Sequence, residues 1–106
     1  MKAILVRQGD VALVPVASIP KGAKDITPKK GDVVLKFGEA TGHAHRIDSR
    51  SKVRVWDAGA ERFLQVLEVV SLKHEEHAEI VIAPGIYHIP DQVEWTDENE
   101  PRIVAD

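Results

Sequence analysis

The chain contains no cysteine. This excludes a disulfide framework, a thiolate nucleophile and a sulfur ligand for zinc. Aromatic residues are scarce, at 5%. Trp56, Phe63, Tyr87 and Trp95 are scattered along the chain, which suits core or core-edge anchors better than a base-stacking platform. No apolar run approaches the roughly 20 residues that cross a bilayer as a helix. The opening Met1-Lys2-Ala3-Ile4-Leu5-Val6-Arg7 is too short for the apolar region of a signal peptide. These absences predict a cytoplasmic protein with no membrane partner. A basic excess is missing as well, since 14 Lys and Arg stand against 17 Asp and Glu for a net charge of −3. A general nucleic-acid coat needs the opposite balance to displace counterions from phosphates. Local basic clusters remain at Lys21, Lys24, Lys29 and Lys30, read as solvated loop charges, and at Arg46, Arg50, Lys52 and Arg54.

What is present is an ordinary folded composition, 43% hydrophobic and 29% charged over 106 residues. That length predicts one core and one domain, residues 1–106. Gly and Pro divide the chain into short apolar segments. Strands are expected at Ile4–Val6 and Val11–Val16 around a turn at Gln8-Gly9-Asp10. Further strands are expected at Asp32–Phe37, His43–Ile47, Lys52–Trp56, Phe63–Val70, Glu79–Ala83 and Ile86–Ile89. Pro20–Gly31 reads as a long polar loop. Pro84-Gly85 has the form of a type II turn. Only Thr96–Ala105 reads as helical, with Thr96 or Asp97 as cap and Pro101 limiting its length. Short strands at near-regular spacing, without strand–helix alternation, predict a mostly β protein: a small antiparallel sandwich or barrel with a short C-terminal helix.

Polar chemistry concentrates on histidine. His43 and His45 lie two apart in Gly42-His43-Ala44-His45-Arg46, so an extended backbone projects both imidazoles to one face, with Ile47 continuing it as a buried floor. Their Cβ atoms would be about 7 Å apart, close enough for two rings to share one metal. His74-Glu75-Glu76-His77 supplies a second pair, adjacent on a helical turn and divergent on a strand. The spacing is one residue short of the zinc-protease helix motif, which is rejected. His88, after Pro84-Gly85, is a further candidate third ligand. Glu39 and Thr41 stand nearby as acid/base or substrate-orienting groups, and Arg46 or Lys73 as a cation for an anionic substrate. The segment Gly38-Glu39-Ala40-Thr41-Gly42 lacks the Gly-Lys-Ser/Thr ending of a phosphate-binding loop, and no serine sits in a nucleophile elbow.

Two resemblances follow from these motifs. His-x-His followed later by Pro84-Gly85-Ile86-Tyr87-His88 resembles cupins, in which such elements supply metal ligands on a small β-barrel. The Glu that follows His-x-His in cupins is absent here. More of the chain, from Gly9-Asp10-Val11 through Gly38–Arg46, His74–His77 and Pro84–Tyr87 to Gln92-Val93-Glu94-Trp95, is similar to a small uncharacterised bacterial and phage-encoded family. That resemblance implies that the histidine motifs act as a unit, and it places more weight on His74 and His77 than on His88.

The expectation is a histidine site in which His43, His45, His74 and His77 are candidate metal ligands and His43, His45, Glu39 and Arg46 candidate catalytic residues. Imidazole with carboxylate suits zinc, iron, manganese or nickel. The expected chemistry is metal-dependent hydrolysis of a phosphoester or similar small polar substrate. The alternatives are a metal-free phosphodiesterase or nucleotide-processing enzyme using histidine as acid and base, and a non-catalytic, phage-type or homo-oligomeric binding module.

Overall fold

The computed structural model describes residues 5–9, 11–37, 43–90, 93–95 and 101–103. They are built from antiparallel strands in two layers, with no α-helix among them. The first layer is a six-stranded sheet. Its strands are β1 (Val6–Gln8), β2 (Val11–Val16), β3 (Lys24–Asp25), β6 (Val53–Ala58), β7 (Glu61–Val66) and β10 (Gly85–Ile89), in the spatial order β1-β2-β10-β7-β6-β3. The second layer holds two hairpins, β4 (Val33–Phe37) with β5 (Ala44–Ile47), and β8 (Val70–Leu72) with β9 (Ile80–Ile82). A backbone bridge between Arg46 and Lys73 joins the hairpins.

Alternation explains the layering. Val53 and Val55 on β6, Leu64 and Val66 on β7, and Tyr87 and Ile89 on β10 bury one face of the first sheet. Val33 and Leu35 on β4, Ile47 on β5, Val70 and Leu72 on β8, and Ile82 on β9 complete the same core. The result is a sandwich rather than a closed barrel. The β6–β7 hairpin is set by the turn at Gly59-Ala60, where Gly59 has φ 76°, a left-handed value that costs glycine little.

Several expected elements are placed differently. The first strand is β1 rather than Ile4–Val6: Leu5 is exposed and Ile4 lies outside the described residues. Gln8 therefore belongs to a strand, not to a turn. The polar stretch Pro20–Gly31 contains β3, whose two residues pair with Trp56 and Asp57. Pro84-Gly85 does not close a hairpin, because β9 pairs with β8 while β10 pairs with β2 and β7 in the other sheet. Gly85, at φ 155°, instead opens β10. The helix expected over Thr96–Ala105 is replaced where the chain is described: β12 (Pro101–Ile103) pairs antiparallel with β11 (Val93–Trp95). The rest of that segment lies outside the described residues. The β-branched Ile103 favours extended backbone over a helix already limited by Pro101.

Candidate functional site

The two histidine motifs meet where β5 runs beside the end of β8. Arg46 and Lys73 exchange backbone hydrogen bonds of 2.9 and 2.8 Å. The carboxylate of Glu75 reaches back over β5, accepting the Ala44 N–H at 2.8 Å and pairing with the Arg46 guanidinium. The Ala44 hydrogen bond, reinforced by Arg46, holds the Glu75 carboxyl below the ordinary glutamate pKa against partial burial. Lys73 is paired with Asp48 at 2.7 Å, which lowers the aspartate pKa and raises that of the lysine. These contacts lay the second motif across the first.

Beyond Lys73 the chain curls, for a reason written in His74. Its Nδ1 accepts the backbone N–H groups of Glu76 and His77 at 3.0 and 3.2 Å, a side-chain cap on a tight bend. The bend sets the His74 and His77 rings 4.5 Å apart. The His77 ring also lies against Gly9, where a Cβ would overlap its Nε2. Glycine at that position supplies both the φ of 57° and the space.

His45 is fully buried and its ring lies 4.3 Å from that of His74 and 5.7 Å from that of His77. Its orientation is set by Gln8. The Gln8 carboxamide nitrogen donates to the carbonyls of Leu72 and Ala78 at 2.8 and 2.9 Å, so only its oxygen faces Nδ1 of His45, at 2.8 Å. The neutral imidazole must therefore carry its proton on Nδ1 and keep the Nε2 lone pair. This is the arrangement of a metal-ligating histidine held by a neighbouring acceptor.

His45, His74 and His77 each offer one nitrogen, and these lie within 4.8 Å of one another. Three nitrogens on one tetrahedral ion with bonds of about 2.0 Å would be about 3.3 Å apart, so small side-chain rotations close the set. The tautomer of His45 fits that role. His74 fits it only if its ring gives up the two amide hydrogen bonds or turns over.

The expected quartet is thus resolved into three plus one. His43 stands edge-on to His74 at 5.6 Å, with Nδ1 3.4 Å from a Glu76 oxygen, at the partly exposed margin and outside the three-nitrogen group. His88 lies elsewhere, on β10 beside Phe63 and 3.1 Å from a Glu61 oxygen. Arg46 is engaged by Glu75, by Asp32 at 3.5 Å and by the Ala44 carbonyl, which makes it a clasp of the motif. Glu39 and Thr41 lie outside the described residues. Gln8, the residue that orients His45, is absent from the sequence-derived set. Its one sequence signal is parity: in Val6-Arg7-Gln8 the polar residue shares the inward side with Val6.

Residues 7–92 match the family described as a domain of unknown function, DUF8820. No curated protein and no solved structure matches the chain.

Proposed function

We propose, for a chain that belongs to the DUF8820 family, that His45, His74 and His77 bind a divalent transition metal, and that the centre serves hydrolysis of a phosphoester or a similar small polar substrate in the cytoplasm. The observation that carries this reading is the Gln8–His45 contact. A buried imidazole sits with two further imidazoles, one ring nitrogen of each within 4.8 Å of the others, while a carboxamide that spends both its hydrogens on carbonyls fixes its tautomer. Zinc, iron, manganese and nickel all accept such a set.

Such an ion would polarise a phosphoryl or carbonyl oxygen of the substrate. The protein's own part is to hold the ligands, exclude water behind them and move protons at the margin. Ile47 and Leu72, on the two strands that lead to the site, are fully buried in the core. His43, partly exposed and 3.4 Å from Glu76, is the imidazole placed to exchange a proton between substrate and solvent. Arg46 keeps β5 and the 74–77 bend in register.

Metal analysis of untagged protein tests the reading. Near-stoichiometric metal is expected, lost in His45→Ala together with hydrolysis of an activated phosphodiester. Less than about a tenth of an equivalent, unchanged by that substitution, would count against a centre whose affinity should depend on each ligand.

One observation favours a second reading. Because His74 Nδ1 accepts two amide hydrogens, its neutral ring carries the proton on Nε2. That state suits a metal-free acid–base array. Activity that survives chelation but falls with His43→Ala or His45→Ala would select it.

A further inference from the structure

We propose that the chain has a second binding site, for the phosphate group of a small phosphorylated compound, in the cleft between residues 25–29 and 50–54. This cleft has a volume of about 500 Å³ and is lined by residues 25, 27–29, 50, 51 and 54, among them Asp25, Thr27, Lys29, Arg50, Ser51 and Arg54. That size suits a nucleotide-scale ligand. None of these residues belongs to the imidazole group.

The cleft is built by a strap laid along β6. Ile26 N–H donates to the Val55 carbonyl at 2.8 Å, and Val55 N–H donates to Thr27 Oγ1 at 2.8 Å. The opposite wall is the single 3-10 turn Arg50–Lys52 and the start of β6.

The charge balance points to an anion. Three cations face one carboxylate in a chain whose net charge is negative. The carboxylate is already engaged, since one Asp25 oxygen accepts Thr27 N–H at 2.9 Å and Thr27 Oγ1–H at 2.5 Å. Arg54 Nε is a distant 3.9 Å from the other oxygen. Among the described residues, Lys29 and Arg50 have no carboxylate within ion-pair range.

Solvated loop charges are the ordinary condition of exposed cations, but these two arginines are braced. Arg50 Nη1 donates to the Gly31 carbonyl at 3.1 Å and Arg54 Nη1 to the Val53 carbonyl at 2.8 Å. Each anchor uses one guanidinium nitrogen and holds the remaining donors in place, which is the condition for recognising a phosphate oxygen pair. Ser51 adds a hydroxyl to the same wall.

The test is a two-dimensional amide NMR titration of the full chain with inorganic phosphate, pyrophosphate and adenosine monophosphate at constant ionic strength, with sodium chloride as control. Saturable shifts are expected at residues 26–31 and 50–54. Arg50→Gln/Arg54→Gln should weaken binding by about tenfold or more, and Asp25→Asn should tighten it severalfold. His45→Ala should leave it unchanged. Tighter binding of adenosine monophosphate than of phosphate identifies a phosphorylated organic ligand; equal binding identifies the free anion. Lys29→Gln, at an exposed position, must also weaken binding and keeps the test decisive if the double variant fails to fold. Shifts that chloride reproduces, or that persist undiminished in these variants, overturn the proposal.

Discussion

Oε1 of Gln8 lies 2.8 Å from Nδ1 of His45, and this one hydrogen bond links the first sheet to the His45-bearing strand of the second. Because the Gln8 nitrogen also holds the carbonyls of Leu72 and Ala78, a single buried side chain ties β1 to β5, to the end of β8 and to the segment leaving the 74–77 bend.

Gln8→Leu should therefore act on both stability and metal affinity. It leaves two carbonyls and one imidazole nitrogen without their partner in a buried place, at a cost of about 2–4 kcal/mol. Metal affinity should fall by about 10- to 100-fold, as for other groups that orient a ligating histidine. Denaturant unfolding and metal titration read the two effects separately. A variant with unchanged affinity would remove Gln8 from the site.

His45→Ala, His74→Ala and His77→Ala should each abolish stoichiometric metal binding, while His88→Ala should not. The visible spectrum of cobalt-loaded protein distinguishes these variants by loss or retention of the ligand-field bands. His43→Ala should keep the bands but reduce turnover. Loss of the bands in that variant would instead make His43 a ligand.

His74 makes the metal reading testable without activity. Its Nδ1 now holds the amides of Glu76 and His77. If the ring turns to lend a nitrogen to an ion, those two amides should exchange with solvent faster when zinc is added, while amides of β7 and β10 do not. Equal or slower exchange at both would mean that the His74 cap stays closed.

Gly9→Ala should disturb the site through His77. The substitution places a Cβ on His77 Nε2 and a non-glycine residue at φ 57°, together costing about 1–2 kcal/mol or more. Gly59→Ala is the control, with a similar left-handed φ of 76° but nothing within 4 Å of the added Cβ. Both should lower the melting temperature. Only Gly9→Ala should weaken metal binding.

Asp25 gives the fold a component that depends on acid. Its pKa is depressed chiefly by the hydrogen bonds from Thr27, with Arg54 contributing less. A depressed carboxyl stabilises the fold fully above the ordinary aspartate value of about 3.9, and that contribution is lost as pH falls through the lower folded value. Asp25→Asn should thus melt about 2–4 °C below the wild type at pH 7, a small effect because the carboxylate is well exposed. The two melting temperatures should converge as pH falls through the depressed folded value. A gap independent of pH would mean that shape rather than charge is what Asp25 contributes.

Much of this protein was legible in one dimension. Alternation in Val53-Arg54-Val55 and the β-branched runs at Val33–Val34 and Ile80–Ile82 specify strands, because the pleat repeats every two residues whatever lies across from it. His43, just before β5, and His45 within it both have their rings beside that of His74. The absence of cysteine removed thiolate ligands from any metal chemistry.

The rest was decided by contacts between residues distant in sequence. Gln8 meets Leu72 and Ala78, Glu75 meets Ala44, and Gly9 meets His77. No local periodicity encodes these, because each depends on which strands become neighbours when two sheets bury a common core. Pro84-Gly85 shows the same limit: as a local pattern it spells a hairpin, but strands on either side find better partners in opposite layers. The sequence by itself determined the strand character and singled out the histidine motifs. Only the tertiary structure decided that His45 rather than His43 joins His74 and His77, and that Gln8 sets its tautomer. Burial supplies the physical reason, since His45 lies between the layers, where a polar ring must have its proton assigned by a neighbour, whereas His43 reaches solvent.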